Sequence, residues 1–133
     1  QSITFSLQNL QAGHNQISAI RLKPKQLMKL TMCNLEFNKI NDFVAIQKLA
    51  YACPNVEFLT LFNNPITMKP HYRLLVIYLF DKSRKEQEQQ QVQQQQPLND
   101  CLRILDYQRI RIAERTKAKK WSQSKVGMAV LAQ

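Results

Sequence analysis

The side chains of this chain best suited to chemistry are cations, and the chemistry they suit is contact with phosphate. Arg115, Lys117, Lys119 and Lys120 fall at helical spacing beside the single tryptophan, Trp121. Guanidinium and ammonium groups clustered in this way bind polyanions, nucleic-acid backbone foremost, by displacing condensed counterions. They belong to a wider concentration: between residues 103 and 125, eight basic residues stand against Asp106 and Glu114, which is +6 of the chain's formal +10. Phosphate contacts position a nucleic acid without reading its sequence, so no base-specific role follows. The competing explanation is a solvated helix face that only aids solubility.

Catalytic and metal chemistry find less support. His14 and His71 are the two histidines, neither at a spacing that pairs it with a nucleophile or a second ligand, and with two glycines the chain has no phosphate-cradling loop. Cys33, Cys53 and Cys101 lack a C-x-x-C pairing, which argues against a zinc site and a disulfide framework, and an odd count fits a reducing compartment. No enzymatic activity, metal, cofactor or small-molecule substrate is expected. The longest apolar run, residues 74–80, falls far short of the roughly 20 residues that span a bilayer, so no membrane partner is expected either.

What must position the cations is a repeat. Asn15, Asn38 and Asn64 each close one phrase: Leu7-x-x-Leu10-x-Ala12-x-x-Asn15-x-Ile17, Leu30-x-x-Cys33-x-Leu35-x-x-Asn38-x-Ile40 and Val56-x-x-Leu59-x-Leu61-x-x-Asn64-x-Ile66. The asparagines lie 23 and 26 residues apart, within the roughly 20 to 29 residues of a leucine-rich repeat. Alternating apolar positions mark a short strand buried on one face, and stacking such strands in parallel builds the core that no single repeat could close. Each asparagine turns the chain off its strand and satisfies backbone groups left bare by the bend. Beyond the second phrase, Val44, Ile46, Leu49, Ala50 and Cys53 predict an amphipathic helix with Asp42 as N-cap and Pro54 as its stop. The fold class is therefore α/β: a leucine-rich repeat solenoid with parallel strands on the concave face, helices and turns on the convex face, a C-terminal cap and a basic helical tail.

A fourth, altered phrase, Leu102-x-x-Leu105-x-Tyr107-x-x-Ile110-x-Ile112, with an isoleucine in the asparagine position, reads as the cap that seals the open core. Repeats and the start of the cap occupy residues 1–80, a glutamine-rich insert 81–99, the cap 100–115 and the basic tail 116–133. Because Lys, Glu and Gln propagate helices well, a helix starting after Pro70 is predicted to run into the insert, stop before Pro97 and project away from the solenoid. The chain opens on Gln1 without a capping segment, which predicts further repeats upstream.

Strand residues that alternate with the core ones should face the concavity. They are Asn9, Gln11 and Gly13; Met32, Asn34 and Glu36; Phe58, Thr60 and Phe62; Ile104, Asp106 and Gln108. Met32, Phe58 and Phe62 are large apolar groups at positions the fold does not bury, and clustered apolar exposure marks a protein partner site. Glu36 and Asp106 add negative charge suited to a partner's Lys or Arg.

The string Asn64-Pro65-Ile66-Thr67, His71-Tyr72-Arg73-Leu74 and Val76-Ile77-Tyr78, followed by Leu105-Asp106 and Glu114-Arg115, resembles the capped leucine-rich repeat family of the U2 small nuclear ribonucleoprotein A-prime proteins. That resemblance covers most of the chain outside the insert. It implies a nuclear, non-catalytic scaffold in pre-mRNA splicing. The partners it implies are an RNA-recognition-motif protein of B-double-prime type, whose helix lies in the concave face, U2 snRNA held at a stem-loop, and other spliceosomal proteins. Another leucine-rich adaptor, axonemal or microtubule-associated, is the alternative, since tubulin is itself acidic.

Overall fold

A computed structural model describes residues 7–90 and 102–132. Five short strands form one sheet in sequence order: β1 (Asn9–Gln11), β2 (Met32–Asn34), β3 (Phe58–Thr60), β4 (Ile104–Leu105) and β5 (Gln108–Arg109). The first four are parallel and in register, with Leu10, Cys33, Leu59 and Leu105 at one level and Asn9, Met32, Phe58 and Ile104 at the next. Helices follow: α1 (Phe43–Ala52), α2 (Tyr72–Gln90), α3 (Ile112–Gln123) and α4 (Lys125–Leu131), with a 3-10 turn at Pro65–Met68.

The repeat phrases bury what their spacing says they should. Leu30, Cys33, Leu35 and Ile40 of the second phrase and Val56, Leu59, Leu61 and Ile66 of the third form the core. In the first phrase Leu7, Leu10, Ala12 and Ile17 are only partly buried against it. Burial in this apolar setting pushes the Cys53 thiol up to about 12 and Cys33 higher still, so both remain neutral thiols that pack as small hydrophobes.

The asparagines bind across repeats as well as within them. Asn38 donates to Leu35 O at 2.9 Å in its own repeat and to Ala12 O at 3.0 Å in the preceding one, while its Oδ1 accepts from Ile17 N at 3.0 Å. Asn64 repeats the arrangement with Leu61 O at 2.9 Å, Leu35 O at 2.8 Å and Ile40 N at 3.0 Å. The residue before each asparagine, His14, Phe37 or Asn63, has positive φ (59°, 56° and 60°), the left-handed bend that swings the chain off its strand.

On the convex side α1 begins at Asp42, whose Oδ1 accepts from Ala45 N at 2.9 Å, and ends before Pro54. Helix α2 runs into the glutamine-rich stretch as far as Gln90, and the remainder of that stretch lies outside the described residues. Its course corrects the expectation of a projecting helix. Ser83 Oγ donates to Ala50 O at 2.7 Å, Arg84 Nη1 donates to Asn55 Oδ1, and Gln87 is buried against Met28. Those polar groups find partners on the convex arc, which draws the helix along the solenoid.

The basic tail is helical, as expected, and it is packed. The boundary expected at residue 116 falls inside α3, and Ala118, Trp121 and Ser122 are buried. Ser124 then closes α3 and caps α4, donating to Trp121 O at 2.6 Å and accepting from Gly127 N at 3.0 Å. Only glycine fits at 127, because a Cβ there would lie 1.8 Å from Trp121 O. The last two helices are thus part of the cap.

Candidate functional site: a concave face and its cap

In the concavity the ladder places Met32 beside Phe58, with Asn9 and Ile104 outside them, and Asn34 between Gln11 and Thr60. Met32 is 41% exposed, Phe58 37% and Phe62 50%. Met32, Phe58 and Ile104 in line, with Phe62 at the end of the third strand, form one apolar surface beside the polar level of Gln11, Asn34 and Thr60. Around it the polar groups are orientated by local bonds. Gln11 donates to Asn9 Oδ1 at 2.8 Å, and Asn34 Oδ1 accepts from Glu36 N at 3.0 Å.

Two exposed aromatics that the alternation rule did not name enlarge this surface. Phe37 stacks on His14 with ring centroids 4.5 Å apart and meets Phe62 edge-on at 6.3 Å. Its position before the asparagine was the available signal, since the left-handed bend there turns a side chain outward whatever its type. The second, Tyr107, is 68% exposed, and its hydroxyl donates to Glu36 Oε2 at 2.8 Å. That bond, with some desolvation, raises the phenol's pKa.

Tyr107 is also where the fourth phrase departs from a repeat. Leu105 lies in register with Leu59, but Asp106 and Tyr107 both have positive φ (51° and 66°) and the chain reverses into antiparallel β5. Such a turn matches the twist of a two-stranded hairpin. Tyr107 therefore leaves the core position that the phrase assigned to it.

Asp106 is the first correction among the candidate site residues. Its Oδ1 accepts from Leu61 N and its Oδ2 from Tyr72 OH, each at 2.7 Å. Each oxygen accepts a bond inside the fold, so the carboxylate fastens the cap, a role that spacing did not assign to it. Burial, reinforced by the Asp106 charge, pushes the Tyr72 phenol far up, so it donates throughout the ordinary pH range. Of the two concave acids, Glu36, which accepts from the exposed Tyr107 hydroxyl, is the less engaged by the fold.

Arg115 is the second correction. Its Nη1 pairs with Asp81 Oδ1 at 2.5 Å and its Nη2 donates to Leu102 O, which fixes the guanidinium between α2 and the strand entry. Asp81 is raised despite that partner, because burial outweighs the attraction of Arg115. Lys117, Lys119 and Lys120 are exposed on α3 and remain available to a phosphate.

The widely separated cap residues converge in space. Arg73 grips Glu114 with Nε at 2.6 Å and Nη2 at 3.2 Å, and sends further donors to Leu105 O at 3.0 Å and to Gln108 O and Arg109 O at 3.3 Å. One planar fork thereby ties α2, the hairpin and α3 together. The hydrogen bond from Arg73 holds the Glu114 carboxyl below its ordinary range against a smaller opposing effect of burial.

Comparison with known proteins matches this geometry. The chain is 31% identical over 129 residues to the probable U2 small nuclear ribonucleoprotein A′ of Caenorhabditis elegans, covering 93% of this chain and 42% of the relative. It is 30% identical over 115 residues to the U2 small nuclear ribonucleoprotein A′ of Schizosaccharomyces pombe, covering 86% and 40%. The chain thus spans about two fifths of the length of these curated relatives. The solved complex of SNF and U2A′ from Drosophila melanogaster superposes with a TM-score of 0.72 at 23% identity, over 95% of this chain and 62% of that one, a likeness of fold. No protein-family model matches.

Proposed function

Because the chain belongs, by homology over most of its length, to the leucine-rich repeat family of the U2 small nuclear ribonucleoprotein A′ proteins, we propose that it is a non-catalytic scaffold subunit of that particle in pre-mRNA splicing. Its concave face receives a helix of an RNA-recognition-motif protein of B-double-prime type. The observation that carries this reading is the open apolar surface of Met32, Phe58 and Phe62, continued by Ile104 beside Phe58 and extended by Phe37, on a sheet face whose other large concave residues are polar. An amphipathic helix laid across parallel strands would bury those groups together, and Glu36 at the rim would meet a basic residue on it.

U2 snRNA enters this reading chiefly through the partner. Lys117, Lys119 and Lys120 supply a weaker, sequence-independent attraction to the same complex. Three charge neutralisations at these lysines should flatten the salt dependence of ribonucleoprotein binding, with the slope falling by roughly 0.7 to 0.9 for each phosphate no longer neutralised. An unchanged slope would return the lysines to the role of a solvated face.

The reading as a whole is tested by capturing partners on the chain at moderate salt. Recovery of U2 snRNA together with an RNA-recognition-motif protein supports it. Recovery of tubulin without either would favour a microtubule-associated adaptor.

A further inference from the structure

A second surface, separate from the concavity, is shaped to take a ligand. It is a cleft of about 680 Å³ between α2, α3 and α4, with none of its lining residues on a strand. Tyr78 and Met128 give it an apolar wall, and Met128 is 56% exposed. Lys82 and Lys85 rise on one bank and Lys119 on the other.

The charges in the cleft are unequally used. Asp81 is paired with Arg115, and Glu86 lies close enough to Tyr51 to help raise that phenol to about 12, after the larger effect of burial. Among the described residues Lys82, Lys85 and Lys119 form no ion pair. Past Tyr78 and Lys82 the cleft adjoins a smaller notch of about 90 Å³, bordered by Leu79, Val130 and Leu131. Lys82, Lys85 and Lys119 thus frame the larger recess, and Lys82 also borders the smaller one.

We propose that this cleft docks an acidic peptide segment of a partner protein. One large aliphatic side chain of the segment fills the recess beside Tyr78 and Met128, and flanking Asp or Glu carboxylates meet Lys82, Lys85 and Lys119. Charge complementarity alone would also admit RNA, but a nucleic-acid backbone tracking the lysines would leave the apolar walls uncovered, whereas an acidic segment with an aliphatic anchor covers both. The surface does not compete with the concave face, so both partners can be held at once. Nor does the proposal depend on the identity of the concave partner.

The test uses fluorescence anisotropy with three labelled probes: a dodecapeptide of alternating Asp and Glu with two central Leu, the same peptide with Ser in place of Leu, and dodecauridine. The wild-type chain is expected to bind the leucine peptide and to bind the serine peptide at least about fivefold more weakly. The double variant Lys82→Glu with Lys119→Glu should lose at least about tenfold in affinity for the leucine peptide. Lys117→Glu with Lys120→Glu, outside the cleft lining and carrying the same charge change, should lose less than about threefold if the cleft and not net charge is responsible. Circular dichroism confirms that both variants fold. Equal losses in the two variants, dodecauridine bound in preference to the leucine peptide, or no binding of any probe would each overturn the proposal.

Discussion

The repeats and the cap solve the same problem with different chemistry. In the repeats, the backbone groups freed where a strand ends are satisfied by a neutral amide, Asn38 or Asn64, that reaches into its own repeat and the one before it. At the cap the chain reverses at Asp106. The strand-end bond that a main-chain carbonyl makes in the repeats, Thr60 O accepting from Leu35 N at 2.8 Å, passes there to the Asp106 carboxylate, which accepts from Leu61 N and which Tyr72 steadies from α2. Around it charge takes over, with Arg73 on Glu114 and Arg115 on Asp81. An amide can be copied from repeat to repeat because it needs no counter-charge. A terminal element faces helices instead of another strand, and there ion pairs can join parts of the chain that lie 41 and 34 positions apart.

Substitutions can separate these two solutions, beginning with the largest expected effect. Asn64→Leu leaves Ile40 N unpaired in the core and strips one of two donors from Leu35 O, which keeps Asn38, and from Leu61 O, which keeps the backbone N–H of residue 64. It should cost roughly 3–4 kcal/mol in urea unfolding, provided the chain still folds. Asn15→Leu removes two exposed bonds only and should cost less than about 1 kcal/mol, which measures how much burial adds to the same residue. At the cap, Asp106→Ala should cost about 2–3 kcal/mol, and Asp106→Asn, which keeps one acceptor for Leu61 N, about half of that. If Asp106→Ala were as mild as Asn15→Leu, the equivalence drawn between ladder and cap would fail.

The two cap ion pairs should differ in their response to acid. Glu114 is held below its ordinary value of 4.5, so its contribution is fully present above that pH and is lost as pH falls through the depressed value in the fold. Asp81 is raised by burial, so its charged form costs stability above the raised value, and acid relieves that cost. Stability measured from pH 6 downward should therefore fall less steeply in Glu114→Gln than in wild type. The loss at neutral pH should be only about 1 kcal/mol, since both partners are partly exposed. A slope unchanged by Glu114→Gln would assign the acid sensitivity elsewhere.

The two regions also differ in how far the sequence discloses them. A period repeats its own message, so the strands, the buried asparagines, the Asp42 cap and the exposure of Met32, Phe58 and Phe62 follow from spacing alone. Phe37 is hidden because its outward turn comes from a left-handed backbone that alternation does not encode. The cap shows its residue types but not their partners. Nothing in the spacing of Asp106 or Arg115 says that Leu61 N and Asp81 will be near, so spacing presents both as free surface charges. Continuity of a helix is legible in the Lys, Glu and Gln of α2. Its direction is set by Ser83 and Arg84 finding Ala50 and Asn55, contacts that exist only once the solenoid has folded.

The measurement that bears most directly on the concave face as a docking surface is the affinity of Phe58→Glu for the RNA-recognition-motif partner, set beside its urea midpoint. Phe58 is 37% exposed and lies in register with Met32, so a carboxylate there should leave folding within about 0.5 kcal/mol of wild type. It should also place an unpaired charge beneath the docked helix, and an affinity loss of at least about a hundredfold at an unchanged midpoint is the predicted result. Wild-type affinity in the folded variant would contradict the account and remove the concave face as the partner site.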